Sequence, residues 1–533
     1  MSKIRGPVSG WIITGIIIAS TGFTPQEWAA RLFRLFPPLE TEWPPHVDLR
    51  LVLVALGTAI VVSSILLQQR ALRRLAIVGS SVSVTTAGRQ SAALADAEAP
   101  VRADHAEPAG EPTSLLLDTP SIAVLPFQNM SGDPEQEYFS DGITEDIITE
   151  LSKVSGLFVI ARNSTFVYKG KPFSVSNICR ELGVKFAVEG SVRKSGNRVR
   201  ITAQLIDGSH GGHLWAERYD RDLTDIFAVQ DEVTRRIVDA LKVQLTPGEE
   251  ACITEMPTNS CEAHDLFLRA RDLLRGTKLN RETFNQAVAL LTRAIELDPN
   301  YAEPYAGLAM AHNLDFQNQW TGAPDALDVA AHFATLAIEK GPSVPYAHHM
   351  AAVVAIWKRN LDRAKQETET VLTLSPNYAP AYGTRGLVEL YSGEPLAAIP
   401  FLERAMHLDP AFAQQYLHFL GLAYLVAGKY AAAAASFRER IRLVPDTDLS
   451  RALLASALGH LGDIDEAQRI WTELKQVNPH YSFAEHLSRL PFSHPADADR
   501  VKDGLAKIIT EAMVTELPKK QTPVVPPENY IRA

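Results

Sequence analysis

The stretch LGLAYLVAGKYAAAAASFRERIRLVP, residues 420–445, reads as two helices and a stop. Leu420, Gly421 and Tyr424 fall on a first helix, Gly428 marks a turn, Ala433 and Phe437 fall on a second, and Pro445 ends it. The small Gly421 and Ala433 are expected where the two helices cross, with Tyr424 and Phe437 filling the space between neighbouring units. Pro299, Pro342, Pro376, Pro410, Pro445 and Pro479 follow one another at 43, 34, 34, 35 and 34 residues, each closing an alanine-rich stretch. Helix pairs of that period bury their apolar faces only by stacking, so this half of the chain is predicted to be an all-α solenoid whose surface holds a partner.

The unit ending at Pro410 repeats the pattern with Tyr382, Gly386, Gly393, Ala398 and Ala405, and the unit ending at Pro479 with Gly462, Ala467 and Trp471. Weaker units end at Pro376, with Ala364, and at Pro299, with Ala287 and Ala294. The interval of 43 holds nine residues more than 34, expected as a loop near Asn318 to Pro324, in a unit that keeps Tyr305, Leu308 and Ala337. The pattern resembles the tetratricopeptide repeat, about six copies over 260–481, followed by a helical cap over 482–515 and a flexible tail over 516–533. By that resemblance the first helix of each unit lines a concave face, which places Met310, Asn313, His349, Trp357, Leu387, Tyr391, His418, Leu422 and His460 in a protein-binding groove. The set is apolar, aromatic and neutral, without a Lys and Arg clamp for a carboxylate terminus, so it suits an extended or helical apolar segment of a partner protein. The alternative for any one of them is packing within the stack.

The 533 residues, 46% hydrophobic and 21% charged, suit two or three ordinary folded units. A net charge of −10 argues against a nucleic-acid partner, because phosphate backbones reward clustered Lys and Arg. Cys179, Cys252 and Cys261 form neither a CxxC pair nor an even framework, so neither disulfides nor zinc are expected.

Residues 1–79 are of another kind. Val8 to Phe23 and Leu51 to Leu67 are apolar runs near the minimum for a spanning helix, with Lys3 and Arg5 before the first and Arg70, Arg73 and Arg74 after the second. They predict a transmembrane helical hairpin in a bacterial inner membrane, with residues after about 70 in the cytoplasm; a cleaved signal peptide is the alternative for the first run. Residues 80–119 are rich in Ser, Ala, Asp, Glu and Pro and are expected to be a disordered linker.

Over 120–247 the periodicity changes. Ile122 to Phe127 and Leu157 to Ala161 read as strands buried on both faces, with the helical stripe Ile143, Ile147 and Leu151 between them and Ser140 or Asp141 as its N-cap. A short helix near Ser174 to Leu182, a hairpin of alternating residues around Ser195-Gly196-Asn197, a strand at Leu214 to Tyr219 and the stripe Ile226, Val229, Val233, Ile237 and Leu241 complete an α/β domain with a mixed sheet.

The segments IAVLPF (122–127), YFSDGITED (138–146), FVIARN (158–163), VEGSVR (188–193), VRITAQLID (199–207), HLWAE (213–217) and IFAVQDE (226–232) resemble the TolB-like amino-terminal domain of bacterial tetratricopeptide proteins. In many relatives the pair of modules looks like the non-catalytic carboxy-terminal half of class III adenylate or guanylate cyclases, or follows a winged-helix DNA-binding domain. The residues before Ser121 match neither, so the resemblance implies a membrane-tethered scaffold, no enzyme, no cofactor and no catalytic residue; the alternative is a regulatory or catalytic component of cyclic-nucleotide signalling. Arg162, Asn163, Lys169 and Lys171 follow a buried strand, where open α/β sheets bind ligands, and form a candidate anion site. The acids Asp133, Glu135, Glu137, Asp141, Glu145 and Asp146 favour a helix start better than a metal, and His210 and His213 lack a third ligand.

Overall fold

The computed structural model of the chain describes residues 119–508 apart from 255, 277 and 278. The predicted membrane hairpin, the linker and the tail lie outside the described residues, among which no helix is long and apolar enough to cross a bilayer.

The runs read as buried strands lie side by side at one end of a mixed sheet. Strand β1 (Ser121–Val124) runs parallel to both β3 (Phe158–Val159) and β4 (Phe186–Ser195), with Ile122 facing Val159 on one side and Phe186 on the other. The short β2 (Gln128–Asn129) extends the parallel pairing along β4, and the expected hairpin adds β5 (Arg198–Asp207) and then β6 (His213–Asp222), antiparallel, in the order β3-β1-β4-β5-β6.

Because strand side chains alternate, β1 feeds two cores. Ile122 and Val124, with Val188 and Val192, pack with α1 (Glu137–Ser152) and with Val229 and Val233. Ala123, Leu125 and Ala187 turn to the other face, beyond the short α2 (Arg162–Phe166), and meet Ile178 and Cys179 of α3 (Val175–Leu182). Helix α4 (Ile226–Ala240) closes the domain on the α1 side.

Neither Ser140 nor Asp141 caps α1. A 3-10 turn at Pro134–Gln136, capped by Asp133 whose Oδ1 accepts Glu135 N–H at 2.9 Å, starts the helical path earlier, and Ser140 and Asp141 are buried inside the helix.

Past α5 (Pro247–Thr254) the chain forms six helix pairs: α6 (Cys261–Arg275) with α7 (Arg281–Leu297), α8 (Ala302–Asn318) with α9 (Ala326–Lys340), and α10 (Pro345–Trp357) with α11 (Leu361–Leu374). They continue as α12 (Ala379–Tyr391) with α13 (Pro395–Leu408), α14 (Ala413–Val426) with α15 (Tyr430–Leu443), and α16 (Leu449–Leu461) with α17 (Ile464–Val477). This is a tetratricopeptide-like solenoid, and the extra residues of its long interval lengthen α8 to 17 residues as well as the loop between α8 and α9.

The small-against-large rule works inside each pair. A Cβ on Gly421 would meet Phe437 Cε1 at 2.6 Å, and one on Gly386 would meet Leu402 Cγ at 2.7 Å. Phe437 therefore fills the crossing of its own hairpin rather than the gap to a neighbour, correcting the sequence expectation. Six residues after each of three turn prolines a side chain reaches back to the proline carbonyl: Tyr305 Oη to Pro299 O at 3.1 Å, His348 Nε2 to Pro342 O at 2.9 Å, and Tyr382 Oη to Pro376 O at 2.9 Å.

The sheet module sits on these turns, and the described residues lie within one compact unit. Asn377 Nδ2 donates to Val154 O at 3.0 Å and Leu157 O at 2.8 Å, while its own N–H donates to Ser152 O at 3.1 Å. Asp409 accepts from Asn163 Nδ2 at 2.9 Å and Ser164 Oγ at 2.6 Å, and Ala161 N–H donates to Leu408 O at 2.8 Å. One apolar cluster runs from Ile122 of the sheet to Val353 of α10.

Asn377→Ala removes a buried side-chain donor from two carbonyls, of which Val154 O keeps the Leu157 amide and Leu157 O keeps none among the described residues, and is expected to lower unfolding stability by about 1–3 kcal/mol. Urea denaturation checks it, and an unchanged midpoint contradicts the seam described here.

Candidate functional site

The face formed by the first helices of the pairs is where the sequence places a partner. Its second half is filled by the chain itself. After α17 the chain forms α18 (Phe483–Arg489), capped by Ser482, and then α19 (Pro495–Ala506), which packs on α14 and α16. These are first helices, so α19 lies across their face instead of only capping the open end, as had been expected.

The seating is specific along its length. Arg359 Nη2 donates to Ser488 O at 3.2 Å and Leu490 O at 3.4 Å, fixing the entry of the segment beside α10. The Phe492 ring meets Tyr391 edge-on at 5.2 Å between centroids, and Ser493 N–H donates to Tyr391 O at 2.8 Å. Further on, Arg500 Nη1 donates to Val426 O, Ser456 Oγ donates to Val501 O at 2.7 Å, and His460 Nε2 donates to Arg500 O at 2.7 Å. His460 also stacks on Tyr430 at 4.1 Å. The closest approach is glycine on glycine: a Cβ on Gly459 would collide with Gly504 O, and one on Gly504 with Ser456 O. Val501, Leu505 and Ile508 are buried in the same apolar cluster as Leu387 and Leu422.

Of the nine residues read as the groove, Tyr391 and His460 touch this segment directly, and Leu387 and Leu422 share its core. His418 is buried, with Nδ1 at 2.9 Å from Ser450 Oγ, and burial holds its pKa down at about 3. Met310, Asn313 and His349 are buried in the first half of the solenoid, where Met310 Sδ accepts from Tyr346 Oη at 3.2 Å. His349 lies between Thr384 Oγ1 at 3.0 Å and Tyr378 Oη at 3.3 Å and is driven to about 3 by burial. Trp357 is half-buried against Phe316. Seven of the nine are buried, all but Trp357 and His460; Leu387, Tyr391 and Leu422 share a cluster with the covering segment, and the other four pack within the stack, the alternative left open by the sequence.

The four residues read as an anion site are dispersed by their own neighbours. Arg162 Nε lies 3.0 Å from Glu145 Oε2 and its guanidinium covers the Phe166 ring at 3.9 Å; burial lowers its pKa to about 10. Asn163 is bound to Asp409 across the seam. Lys169 Nζ pairs with Glu137 at 2.9 Å and Asp141 at 2.5 Å, and Lys171 is exposed. Three of the four are engaged within the chain, so they present no open cationic set.

The acids of the α1 region are engaged too. Glu145 accepts from Arg162, Arg271 and Arg275, and Asp146 from Arg271 Nη2 at 3.0 Å and Gln230 Nε2 at 2.8 Å. Burial opposes ionisation of Asp146, yet Arg271 and His264 hold its pKa down at about 2. Among the described residues no cluster of His, Cys, Asp and Glu is arranged to hold a metal, and His210 is exposed beside Asp207 and Ser209.

Comparison with known proteins bears on both modules. Residues 118–236 match the family model of the HilA/YgeH-like transcriptional regulator, second domain, a span that coincides with the sheet module. A stretch of 258 residues is 55% identical to the "Putative adenylate cyclase 3" of Rhizobium meliloti (strain 1021), covering 48% of this chain and 44% of that protein. The chain thus spans less than half of that relative's length. Among solved structures, YrrB, a TPR protein with an unusual peptide-binding site, is 21% identical over 38% of this chain and 98% of its own, with a TM-score of 0.29. PilF of Pseudomonas aeruginosa is 17% identical over 43% and 97%, with a TM-score of 0.34.

Gly504→Leu places a side chain where Ser456 O already lies. Backbone amides over 495–506 are expected to exchange at least about tenfold faster, while those of α14 and α15 keep their protection. Hydrogen-exchange mass spectrometry reads this, and unchanged exchange over 495–506 would contradict the close approach.

Proposed function

We propose that this chain is a membrane-tethered adaptor whose first-helix face takes an apolar helical segment of a protein partner, with a TolB-like sheet module as its second binding unit. The observation that carries the reading is the seating of residues 490–508. The face accepts a helix with a glycine at the closest approach, Gly504, and apolar residues at Val501 and Leu505, preceded by an aromatic anchor at Phe492 in the connection before it. This is helix-in-groove recognition, in which apolar positions supply affinity and the tight crossing supplies specificity. The two apolar runs near the start of the sequence and their basic flanks support a bacterial inner-membrane tether with the remainder on the cytoplasmic side. The adaptor reading assigns no catalytic residue.

The cyclase-named relative favours a second reading, in which the chain is a regulatory component of cyclic-nucleotide signalling and its partner belongs to that pathway. Cyclic-nucleotide formation from ATP or GTP by the purified chain alone would overturn the adaptor reading.

The direct test is a fluorescent peptide of residues 488–510 offered to the full chain and to a chain ending at 487. Saturable binding to the shortened chain, at least about tenfold weaker for the full chain, is expected, because the attached segment competes at high effective concentration. A shortened chain that keeps its helical circular dichroism and does not bind the peptide would make the segment a strut rather than a ligand.

A further inference from the structure

A cavity of about 390 Å³ lies where α1 and α4 of the sheet module face α6 and three successive inter-repeat turns, at Tyr301, Tyr346 and Tyr378. It falls in the size range of small-molecule sites, and junctions between modules are where such sites concentrate. Neither the adaptor reading nor the groove uses it.

Its lining is unbalanced in charge. Six carboxylates (Glu145, Asp146, Glu150, Asp231, Asp298 and Glu303) face four cations (Lys153, Lys340, Arg271 and Arg275), an excess of two acids by subtraction. The cations are engaged: Arg271 with Glu145 and Asp146, Arg275 with Glu145, Lys153 with Glu150 at 2.8 Å, and Lys340 with Asn300 at 3.3 Å.

Two acceptors are left over. Glu303 Oε2 is shut off from bulk solvent without a hydrogen-bond partner. Ser375, 1% exposed and lining the same cavity, also has an Oγ without one. Arg275 Nε is an unpartnered donor as well, but its guanidinium already rests on Glu145. Leaving a buried acceptor unpaired is costly, so the surplus calls for a cation that brings its own N–H groups. The aromatic walls, Phe227 and Phe267 beside the three tyrosines, suit the methylene and ammonium parts of such a molecule.

We propose that this junctional cavity is a binding site for a small organic ammonium ion of the aliphatic diamine or polyamine class, anchored on Glu303 and Ser375.

The ionisation of the site agrees in direction. Burial raises Glu303 to about 7, opposed by its own backbone N–H and by Lys153, with Asp146 and Glu150 pushing the same way as burial. Burial likewise raises Glu150 to about 7 against the pull of Lys153, with Asp231 and Asp146 adding to the rise. Arg271, Arg275 and His264 of α6 complete the charged surroundings. A carboxyl raised in the folded state favours folding fully below its unfolded pKa near 4.5, and that contribution is lost as pH rises through about 7. A bound ammonium ion offsets the loss, so binding strengthens over the same window.

The test is isothermal titration calorimetry and thermal unfolding of the full chain with putrescine and spermidine, against potassium chloride at matched ionic strength. One site is expected, with affinity at pH 8 at least about fivefold tighter than at pH 6, and lost by about tenfold or more in Glu303→Gln. That variant keeps shape and removes a buried charge, so its melting temperature without ligand is expected to hold or rise at pH 8. Ser375→Ala should weaken binding about threefold. No saturable binding by either amine, retention of affinity in Glu303→Gln, or saturation by inorganic phosphate or acetate instead would each overturn the assignment. Because peptide capture is measured separately, its failure leaves this result interpretable.

Discussion

Everything described depends on the inter-repeat turns of the solenoid being able to satisfy a foreign backbone. The end of α1 and the approach to β3 carry carbonyls at Ser152, Val154 and Leu157, of which Val154 O accepts only the Leu157 amide at 3.3 Å from within the sheet module. Asn377 donates to all three from a single turn. One repeat further on, Asp409 and Leu408 do the complementary job by accepting from Asn163, Ser164 and the Ala161 amide. Since unpaired buried backbone groups cost as much as lost hydrogen bonds, the module docks where those turns are and at that spacing. The repeat period thus fixes the seat of a domain that is itself not a repeat.

The charges at the seam work differently. Glu145 with Arg162, Arg271 and Arg275 gathers three cations around one carboxylate, bridging α1, α2 and α6. Buried ion pairs of this kind recover little net stability after desolvation, but any other docking angle would strand an unpaired charge in the interior. They select an orientation that the apolar cluster from Ile122 to Val353 then holds. The cavity beside them follows from the same arrangement, since helices that meet turns through long charged side chains leave space that methylene packing would fill.

Local chemistry made much of this legible. The proline period, the helix pairing and the strand alternation are set by residues within one hairpin of each other, and each was readable, although Phe437 fills its own hairpin's crossing rather than the gap first assigned to it. What escaped depends on partners far away in sequence. Asn377 and Asp409 sit at turn positions where such residues ordinarily serve their own turns, and nothing nearby signals bonds to residues more than 200 positions earlier. The groove residues were placed on the correct helices, yet Met310, Asn313, His349 and His418 are buried within the stack, while Tyr391 and His460 meet a segment of the same chain. One signal was present and unused: Gly459 and Gly504, both inside helical stretches, mark a place where two backbones meet.

The same glycine contact bears on how the face works. A segment joined to its own site by a few residues experiences an effective concentration on the order of millimolar, so an outside helix needs considerably better intrinsic contacts to replace it. That threshold is lowered because part of the seating rests on polar bonds to backbone carbonyls, at Val426, Val501 and Arg500, which water can satisfy once the helix leaves. The apolar remainder, Phe492, Val501, Leu505 and Ile508, sets the cost of leaving. A partner presenting the same four apolar positions and a small residue at the crossing would meet that cost in kind, whereas a polar or bulky helix would not. Occupancy by the chain's own segment therefore acts as a selectivity filter.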